Sequence, residues 1–286
     1  MKRSALLFCL ILPAVLYVPR ASASDDLEAQ LKSDYLGKVL TLRHFYTGDR
    51  LVFRTDGSLA GSAPVGPWTV DGQISVQSID LRGQTLRIGG RRVCVVFDSK
   101  AKVFRDVLDW LPESQAKDLA SQEKPFRKKI VKIELELPMQ NPDSTQVSST
   151  MNAVFLAPGE SIREFVPDFW SNYFDQIDGQ PKRVAQSTEV VYRFKKGEVS
   201  APRRTIGREP EFTDEARIAK YQGTMTLSLV VDPSGSARDI AIVLPLGLGL
   251  DEQAVKAVSA WKFEPGMKDG TPVPVRIMVE VDFHLY

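Results

Sequence analysis

The stretch LDEQAVKAVSAWKFEPGMKDGTPVPVRIMVEVDF, residues 250–283, decides the fold of the C-terminal part of the chain. Its first half places apolar residues at helical spacing, which predicts an amphipathic helix from Asp251 to Trp261. Lys268-Asp269-Gly270 then predicts a turn. From Val273 to Leu285 apolar and polar residues alternate, which is typical of a strand with one buried face. The stretch therefore predicts a helix, a turn and a strand.

Upstream of this stretch the same kinds of signal continue. Thr213 is placed to cap a short helix that opens at Asp214. Thr224–Val231 alternates, and the turn Asp232-Pro233-Ser234-Gly235 returns the chain into a partner strand, Ala237–Leu244. The predicted order from Glu198 onward is helix, strand, strand, helix, strand.

The first half of the chain has the period of strands after one short helix. An amphipathic helix is predicted over Asp25–Leu36. Gly-containing turns then separate five short segments that we predict as strands: Lys38–Tyr46, Arg50–Arg54, Trp68–Val70, Gln73–Leu81 and Thr85–Phe97. Closely spaced hairpins of this kind indicate a β-rich meander that curls into a small sandwich or barrel. The predicted fold class of the whole chain is α+β.

The middle of the chain mixes helical and extended patterns. We predict a helix over Phe104–Ser121 that is interrupted at Pro112, a strand over Lys129–Leu137, a loop over Asn141–Ser149, a strand over Met151–Leu156, a helix over Ser161–Phe174 and a strand over Val190–Phe194. The aromatic residues of the second helix have helical spacing, which favours core packing over a binding platform. A polar connection is expected at about residues 176–188. The expected domains are residues 24–197 and 198–286.

The N-terminus has the pattern of an export signal. Lys2 and Arg3 precede an apolar run, Ala5–Val18, and the small residues at 21–23 suit signal peptidase. The run is shorter than the roughly 20 residues of a membrane-spanning helix. We therefore expect residues 1–23 to be a signal peptide and the chain to be periplasmic, with an inner-membrane anchor as the alternative. Cleavage would leave Cys94 as the sole cysteine, in an apolar run that predicts burial.

Composition argues against several classes of function. The formal net charge is +1, with short, scattered basic runs, so we expect no nucleic-acid partner. The sequence has no nucleophile-elbow, zinc-protease, P-loop or dinucleotide motif, and its two histidines, His44 and His284, are far apart. We therefore expect no enzymatic activity, no metal site and no cofactor.

The C-terminal part closely resembles the TonB C-terminal domain family. The resemblance spans about residues 198–286 and rests on many positions at matching spacing, including Pro210-x-Phe212, Leu229-Val230-Val231-Asp232 and Trp261-x-Phe263-x-Pro265. Its structural motif residues are Gly223, Asp232, Gly235, Asp251, Trp261, Phe263, Pro265 and Gly270. The N-terminal two thirds resemble no family that we can name.

The resemblance implies a fold and a function. The implied fold is a two-layer domain with a three-stranded antiparallel sheet and two helices. The implied function is binding of an extended peptide, the TonB box of an outer-membrane transporter, by strand addition to the sheet edge. On this basis the expected peptide-binding residues are Glu209, Pro210, Pro274, Arg276, Met278, Glu280, Asp282 and His284. The alternative for the last strand is ordinary pairing, including pairing with its own copy in a homodimer.

Two departures from the family separate the functional alternatives. Energy transducers of the family have an N-terminal transmembrane helix whose histidine engages the ExbB–ExbD motor, and they have a long Pro-rich spacer. This sequence has no histidine in its leader and no such spacer. We therefore expect a periplasmic peptide-binding protein linked to outer-membrane transport, without direct coupling to the ExbB–ExbD motor. The alternatives are a membrane-anchored energy transducer and a structural or dimerising scaffold.

Overall fold

The computed structural model describes residues 23–112, 116–138, 140, 142–179 and 189–285. The N-terminal part, up to residue 197, is a mixture of short helices and strands. In chain order its elements are α1 (Ala23–Tyr35), β1 (Val39–Thr41), β2 (Arg50–Phe53), α2 (Trp68–Asp71), β3 (Gln73–Arg82), β4 (Thr85–Arg92), β5 (Val95–Asp98), β6 (Val103–Asp106), α3 (Val107–Trp110), α4 (Ala116–Arg127), β7 (Ile130–Glu136), α5 (Ser144–Val154), a 3-10 turn (Ile162–Glu164), α6 (Asp168–Ile177) and β8 (Tyr192–Arg193).

The C-terminal part, from residue 198, follows the predicted order of helices and strands and adds short two-stranded ladders. Its elements are β9 (Arg203–Ile206), α7 (Asp214–Ile218), β10 (Gly223–Val231), β11 (Ala237–Leu244), α8 (Leu250–Ser259), β12 (Lys262–Glu264), β13 (Gly266–Lys268), β14 (Thr271–Val273) and β15 (Val275–Phe283). The whole chain is α+β, as predicted.

The N-terminal sheet is open and mixed rather than a simple meander. Its strand order is β1-β3-β4-β7-β2, and β2 runs parallel to β7 while the other neighbours are antiparallel. Strand β7 lies between β4 and β2, and its alternation places Val131, Ile133 and Leu135 on one face, where all three are fully buried. The sheet does not close on itself among the described strands, so the expected barrel does not form.

The predicted loop over Asn141–Ser149 and the predicted strand over Met151–Leu156 are both wrong. The segment forms helix α5, and Asp143 caps it by accepting a hydrogen bond from the backbone N–H of Gln146. The Gln146 side chain accepts from the N–H of Asp143 in return, which completes a capping box. Val147, Met151 and Val154 then face the core at helical spacing.

Three further predictions in the N-terminal part need correction. Trp68–Val70 is a helical turn, because Pro67 precedes it with an extended backbone that suits a helix start and the side chains of the turn are buried. Phe104 lies in strand β6, which pairs with β5, and the helices of this region begin only at Val107 and Ala116. The strand predicted over Lys38–Tyr46 is shorter and ends at Thr41.

The C-terminal sheet has one strand more than expected. Strands β11, β10 and β15 form the expected antiparallel set. The two-residue strand β8 then adds to the outer side of β15 in parallel. The sheet buries one face, with Met225, Leu227 and Leu229 of β10 fully inaccessible. Helices α7 and α8 contribute buried Ala216, Ala254 and Val258 to the same core.

One hydrophobic core joins the two parts. The aromatic residues of α6 pack as predicted: Trp170, Tyr173 and Phe174 are buried against Trp68 and Phe104 with ring centroids 4.7–6.1 Å apart. Cys94 is fully buried, as its apolar run predicts. The domain boundary at residue 197 stays a prediction.

The predicted signal peptide lies outside the described residues apart from Ala23, and so does the predicted connection from residue 180 to 188. Residues 176–179 complete helix α6 and the turn after it. Among the helices that the structure describes, none combines the length and apolar character needed to cross a membrane.

Candidate functional site

The last strand, β15, is held on its inner side by β10. The two strands pair in antiparallel register over nine residues, from Val231 opposite Val275 to Gly223 opposite Phe283, with no register shift. Side chains of β15 alternate as predicted, because Val275, Val281 and Phe283 are buried while Met278, Glu280 and Asp282 are exposed. The inner side of β15 is therefore fixed, and its outer side forms an edge of the sheet.

The direction of the outer backbone groups of β15 follows from one hydrogen bond. The Tyr192 N–H donates to the Pro274 carbonyl across the outer edge, with N and O 2.9 Å apart. Because backbone groups of alternate residues point to the same side of a strand, Arg276, Met278, Glu280 and Asp282 also direct their N–H and C=O groups outward. None of the described residues makes a hydrogen bond to the outward groups of Met278, Glu280 and Asp282.

The predicted peptide-binding residues on this strand fall into two groups. Met278 is 57% exposed, and Glu280, Asp282 and His284 are also exposed. Pro274 is buried and Arg276 is half-buried. The structure thus brings Met278, Glu280 and Asp282 together on the open length of the edge, with Pro274 and Arg276 at the end next to β8.

Strand β8 occupies that end of the edge. Tyr192 lies opposite Val275 and Arg193 opposite Arg276, in parallel. Sequence reasoning predicted a strand over Val190–Phe194 but not its partner. A two-residue parallel pair leaves no periodicity by which the partner could be found.

Glu209 and Pro210, predicted to contribute near the edge, take a different place. The Glu209 carboxylate accepts a hydrogen bond from the Arg204 guanidinium at 2.9 Å, and both side chains are largely exposed. Arg204 also lies over the ring of Trp261, 4.2 Å from its centroid. Two residues beyond Pro210, Phe212 packs edge-on against Phe283 at 5.3 Å. The segment therefore reaches the end of β15 through Phe212 rather than through Glu209.

The motif residues of the β10–β11 turn build a tight connection. The Asp232 carboxylate accepts hydrogen bonds from the N–H groups of Ser234 and Ser236. Burial raises the pKa of Asp232, but the Ser234 hydroxyl, which also donates to the carboxylate, and these two N–H groups together lower it. Gly235 has a φ of 79° and its carbonyl accepts from the Phe263 N–H at 2.9 Å. A Cβ at this position would lie 2.1 Å from the Phe263 oxygen, so glycine is required there.

The other motif residues are structural as well. Trp261 is buried and its indole N–H donates to the Arg208 carbonyl at 2.8 Å. Phe263 is buried beside it, and Pro265 follows at half burial. Gly270 has a φ of 76° in the turn between β13 and β14, and Gly223 starts β10.

Asp251 is the motif residue that sequence reasoning placed least well. The sequence places it at the start of the predicted helix and gives no sign of its burial, whereas the structure buries it fully. Its two carboxylate oxygens accept from the N–H groups of Leu246 and Gly247 at 2.8 and 2.7 Å. Burial raises the pKa of Asp251, and the adjacent Glu252 carboxyl raises it further.

The loop that Asp251 shapes is the junction between the two parts. The Phe97 N–H donates to the Leu246 carbonyl at 2.7 Å and the Leu248 N–H donates to the Val95 carbonyl at 2.9 Å. The Tyr221 hydroxyl reaches the carbonyls of Phe97 and Leu246 at 3.3 and 3.2 Å. Burial raises the pKa of Tyr221, so this hydroxyl keeps its proton at neutral pH.

Side-chain contacts across the junction add to these bonds. The Trp170 indole donates to Glu252 at 2.9 Å, and the Lys129 ammonium pairs with Glu215 at 2.5 Å. The Gly249 N–H donates to the Thr69 hydroxyl at 2.9 Å. The N-terminal part is therefore tied to the side of the C-terminal domain that bears β11, and α6 packs against β11 itself.

Two open clefts lie on the described surface of the protein. One open cleft is lined by His44, Tyr46 and Asp56, and another lies at the junction beside Trp110 and Tyr221. Within the described ranges, no group of three or more His, Cys, Asp or Glu side chains could hold a metal ion.

Comparison with known proteins bears on the C-terminal part. Residues 208–285 match the family described as Gram-negative bacterial TonB protein C-terminal. Protein TonB of Vibrio cholerae serotype O1 is 31% identical over 78 residues, which cover 27% of this chain and 32% of that protein. The chain thus spans about a third of the length of this curated relative.

The solved structures include a similar domain. The solution NMR structure of the Pseudomonas aeruginosa TonB CTD is 16% identical, and the similarity covers 32% of this chain and 92% of that chain. Its TM-score of 0.26 is too low to support an argument. The family match covers residues 208–285 and not the rest of the chain.

Proposed function

We propose that the TonB C-terminal domain of this chain binds an extended peptide, the TonB box of an outer-membrane transporter, by strand addition to the outer edge of β15. The observation that carries this proposal is the edge itself. Met278, Glu280 and Asp282 present outward N–H and C=O groups that no described residue uses. A peptide strand laid along them would form main-chain hydrogen bonds, each contributing about 0.5–1.5 kcal/mol net.

The environment of the sheet supports one docking edge over the other. Strand β11, at the opposite edge, has α6 of the N-terminal part packed against it. The β15 edge faces outward, and its exposed Met278 offers an apolar contact for a side chain of the peptide. Arg276, Glu280, Asp282 and His284 would supply the polar contacts, and the segment that contains Glu209 and Pro210 would meet the far end of the edge through Phe212.

The setting that we propose for this activity is the periplasm, with a role in outer-membrane transport. The family match of residues 208–285 supports the link to transport. The leader sequence supports export. Intact-mass analysis of periplasmic and membrane fractions tests the location, since a soluble species that starts at Ser24 is expected. A membrane-bound species that retains residues 1–23 would favour an anchored energy transducer instead.

The test of peptide binding uses substitutions that act on the outer edge alone. A synthetic peptide carrying the TonB box of a transporter from the same organism is titrated against the wild-type chain and two variants. Met278→Pro removes an outward N–H, whereas the inward bonds of Ile277 and Val279 to β10 remain. Met278→Ala keeps the outward N–H and removes only the side chain. We expect Met278→Pro to weaken binding at least about tenfold and Met278→Ala by less than about threefold.

Two results would count against the proposal. Equal peptide affinity of a folded Met278→Pro variant and the wild type would show that the edge is not the docking site. A shift from dimer to monomer in Met278→Pro, without any peptide binding by the wild type, would show that the edge pairs with a second copy. Circular dichroism and the thermal midpoint establish that each variant is folded.

A further inference from the structure

A segment of the chain already lies on the proposed docking edge. Strand β8 pairs in parallel with the first two residues of β15, and the Tyr192 N–H uses the outward carbonyl of Pro274. An added peptide that extended along the whole edge would need the same backbone groups. Strand β8 therefore covers one end of the edge, and among the described residues the edge is open from Ile277 to Phe283.

The side-chain contacts described for this segment lie at the surface. The Lys268 ammonium lies over the Tyr192 ring, 4.7 Å from its centroid. Glu189 forms an ion pair with Arg238, and both side chains are substantially exposed. Val190 and Phe194 are 64% and 58% exposed, and Val191 and Tyr192 are half-buried, so no side chain of residues 190–194 is fully buried. Exposed contacts of these kinds are individually weak.

The segment is tethered close to the edge by a firm attachment just downstream. Residues 195–199 form a turn, in which the N–H groups of Glu198 and Val199 donate to the Lys195 carbonyl. The Ser200 N–H then donates to the Met267 carbonyl at 2.9 Å, and the Met267 N–H donates to the Ser200 hydroxyl at 2.8 Å. Gly197 has the positive φ, 82°, that this turn requires at its third residue.

We propose that residues 189–194 are a self-strand that competes with the incoming peptide for the edge of β15. This inference rests on the proposed function of that edge. Because the self-strand is tethered by the turn at residues 195–199, its effective concentration at the edge is on the order of millimolar. Its weak surface contacts leave it displaceable. The apparent affinity for a peptide that spans the whole edge is reduced by the fraction of chains in which the self-strand is docked.

Proline substitution separates the self-strand from the rest of the fold. Tyr192→Pro removes the N–H that bonds to Pro274 and prevents pairing at that residue. Lys196→Pro is the matched control, because Lys196 follows the first residue of the turn and precedes a glycine with positive φ, a position that favours proline. The control keeps the strand pairing and adds the same type of backbone restriction four residues away.

The experiment measures binding of a synthetic TonB-box peptide, long enough to pair from Val275 to Phe283, to the full chain. We expect calorimetric titration to give an affinity about five- to thirtyfold higher for Tyr192→Pro than for the wild type and the Lys196→Pro control. A difference of this size corresponds to the loss of a few weak contacts between the self-strand and the edge. Hydrogen exchange at residues 190–194 of the wild type is expected to accelerate when the peptide is added at saturation.

The outcomes distinguish this inference from the function on which it rests. Equal peptide affinities of the wild type, Tyr192→Pro and Lys196→Pro would overturn the self-strand while leaving peptide docking intact. Unchanged or slower exchange at residues 190–194 in the complex would overturn it as well, since a displaced strand must lose protection. Failure of every variant to bind the peptide would overturn both the docking function and the self-strand.

Discussion

Substitution of Asp251 is expected to weaken the junction between the two parts of the chain in graded steps. The carboxylate accepts from two buried N–H groups, those of Leu246 and Gly247. Asp251→Asn can keep one acceptor but turns an amide NH2 toward the other N–H. Asp251→Ala leaves both N–H groups without a partner. A buried donor without a partner costs about 1–3 kcal/mol, so we expect losses of about 2 kcal/mol for Asn and about 3–5 kcal/mol for Ala.

These losses are a considerable fraction of the free energy of unfolding of a typical domain, about 5–15 kcal/mol. The neighbouring substitution Glu252→Gln is the matched control. Its amide oxygen can still accept from the Trp170 indole, and the change removes a buried carboxylate whose pKa is raised by burial. We therefore expect Glu252→Gln to change the free energy of unfolding by less than about 1 kcal/mol.

Urea unfolding at pH 7, followed by tryptophan fluorescence and by far-UV circular dichroism, measures these differences. A free energy of unfolding for Asp251→Asn within about 0.5 kcal/mol of the wild type would refute the view that Asp251 holds the loop in place. Equal losses for Asp251→Asn and Glu252→Gln would mean that replacement of either buried carboxyl, rather than loss of the acceptor for Leu246 and Gly247, determines the effect.

Three other expectations follow from single sites. Gly235→Ala places a Cβ against the Phe263 carbonyl oxygen, so we expect thermal unfolding to show a loss of at least about 3 kcal/mol in the free energy of unfolding. Gly270 has a similar φ but open space around it, so Gly270→Ala should lower that free energy by about 1–2 kcal/mol. Equal losses would contradict the steric explanation. Burial raises the pKa of Asp71 to about 6, so its carboxyl is protonated in the folded state and ionised in the unfolded state between pH 4 and 6. Its contribution to stability therefore falls as pH rises through this window, by about 2–3 kcal/mol, and urea titrations of Asp71→Asn should lack that fall. Burial raises the pKa of Cys94 to about 12, so iodoacetamide at pH 8 should alkylate the peptide containing Cys94 only after unfolding, and mass spectrometry of the native chain should find it unmodified.

The C-terminal fold could be predicted from sequence because its signals are local and agree with one another. The alternation of β10 and β15, the turn at Asp232 and the Thr213 cap each specify a conformation without reference to distant residues. The burial of Asp251 could not be predicted this way, since its two hydrogen bonds depend on how the loop before α8 packs against β5.

The N-terminal part was harder to predict because its elements are short and its pairings are distant in sequence. The parallel pairing of β2 with β7 places Arg50 opposite Lys132, far along the sequence, and nothing in either segment specifies the partner. One error was avoidable, because Asp143 and Gln146 have the spacing of a capping box and indicate a helix start at Ser144. In the candidate site, the β15 edge was predicted from the family resemblance, whereas the pairing of β8 with that edge was not predicted.

The position of the N-terminal part bears on how the C-terminal domain can bind. Helix α6 lies against β11 and strand β5 hydrogen bonds to the loop after β11, so both attachments lie on the side of the sheet away from β15. An isolated C-terminal domain would lose these contacts and expose the apolar side chains that they bury, including Leu246 and Leu248. Strand pairing measured on such a fragment would then extend to β11, whereas in the whole chain the proposed added strand would pair with the β15 edge, which among the described residues β8 contacts at one end.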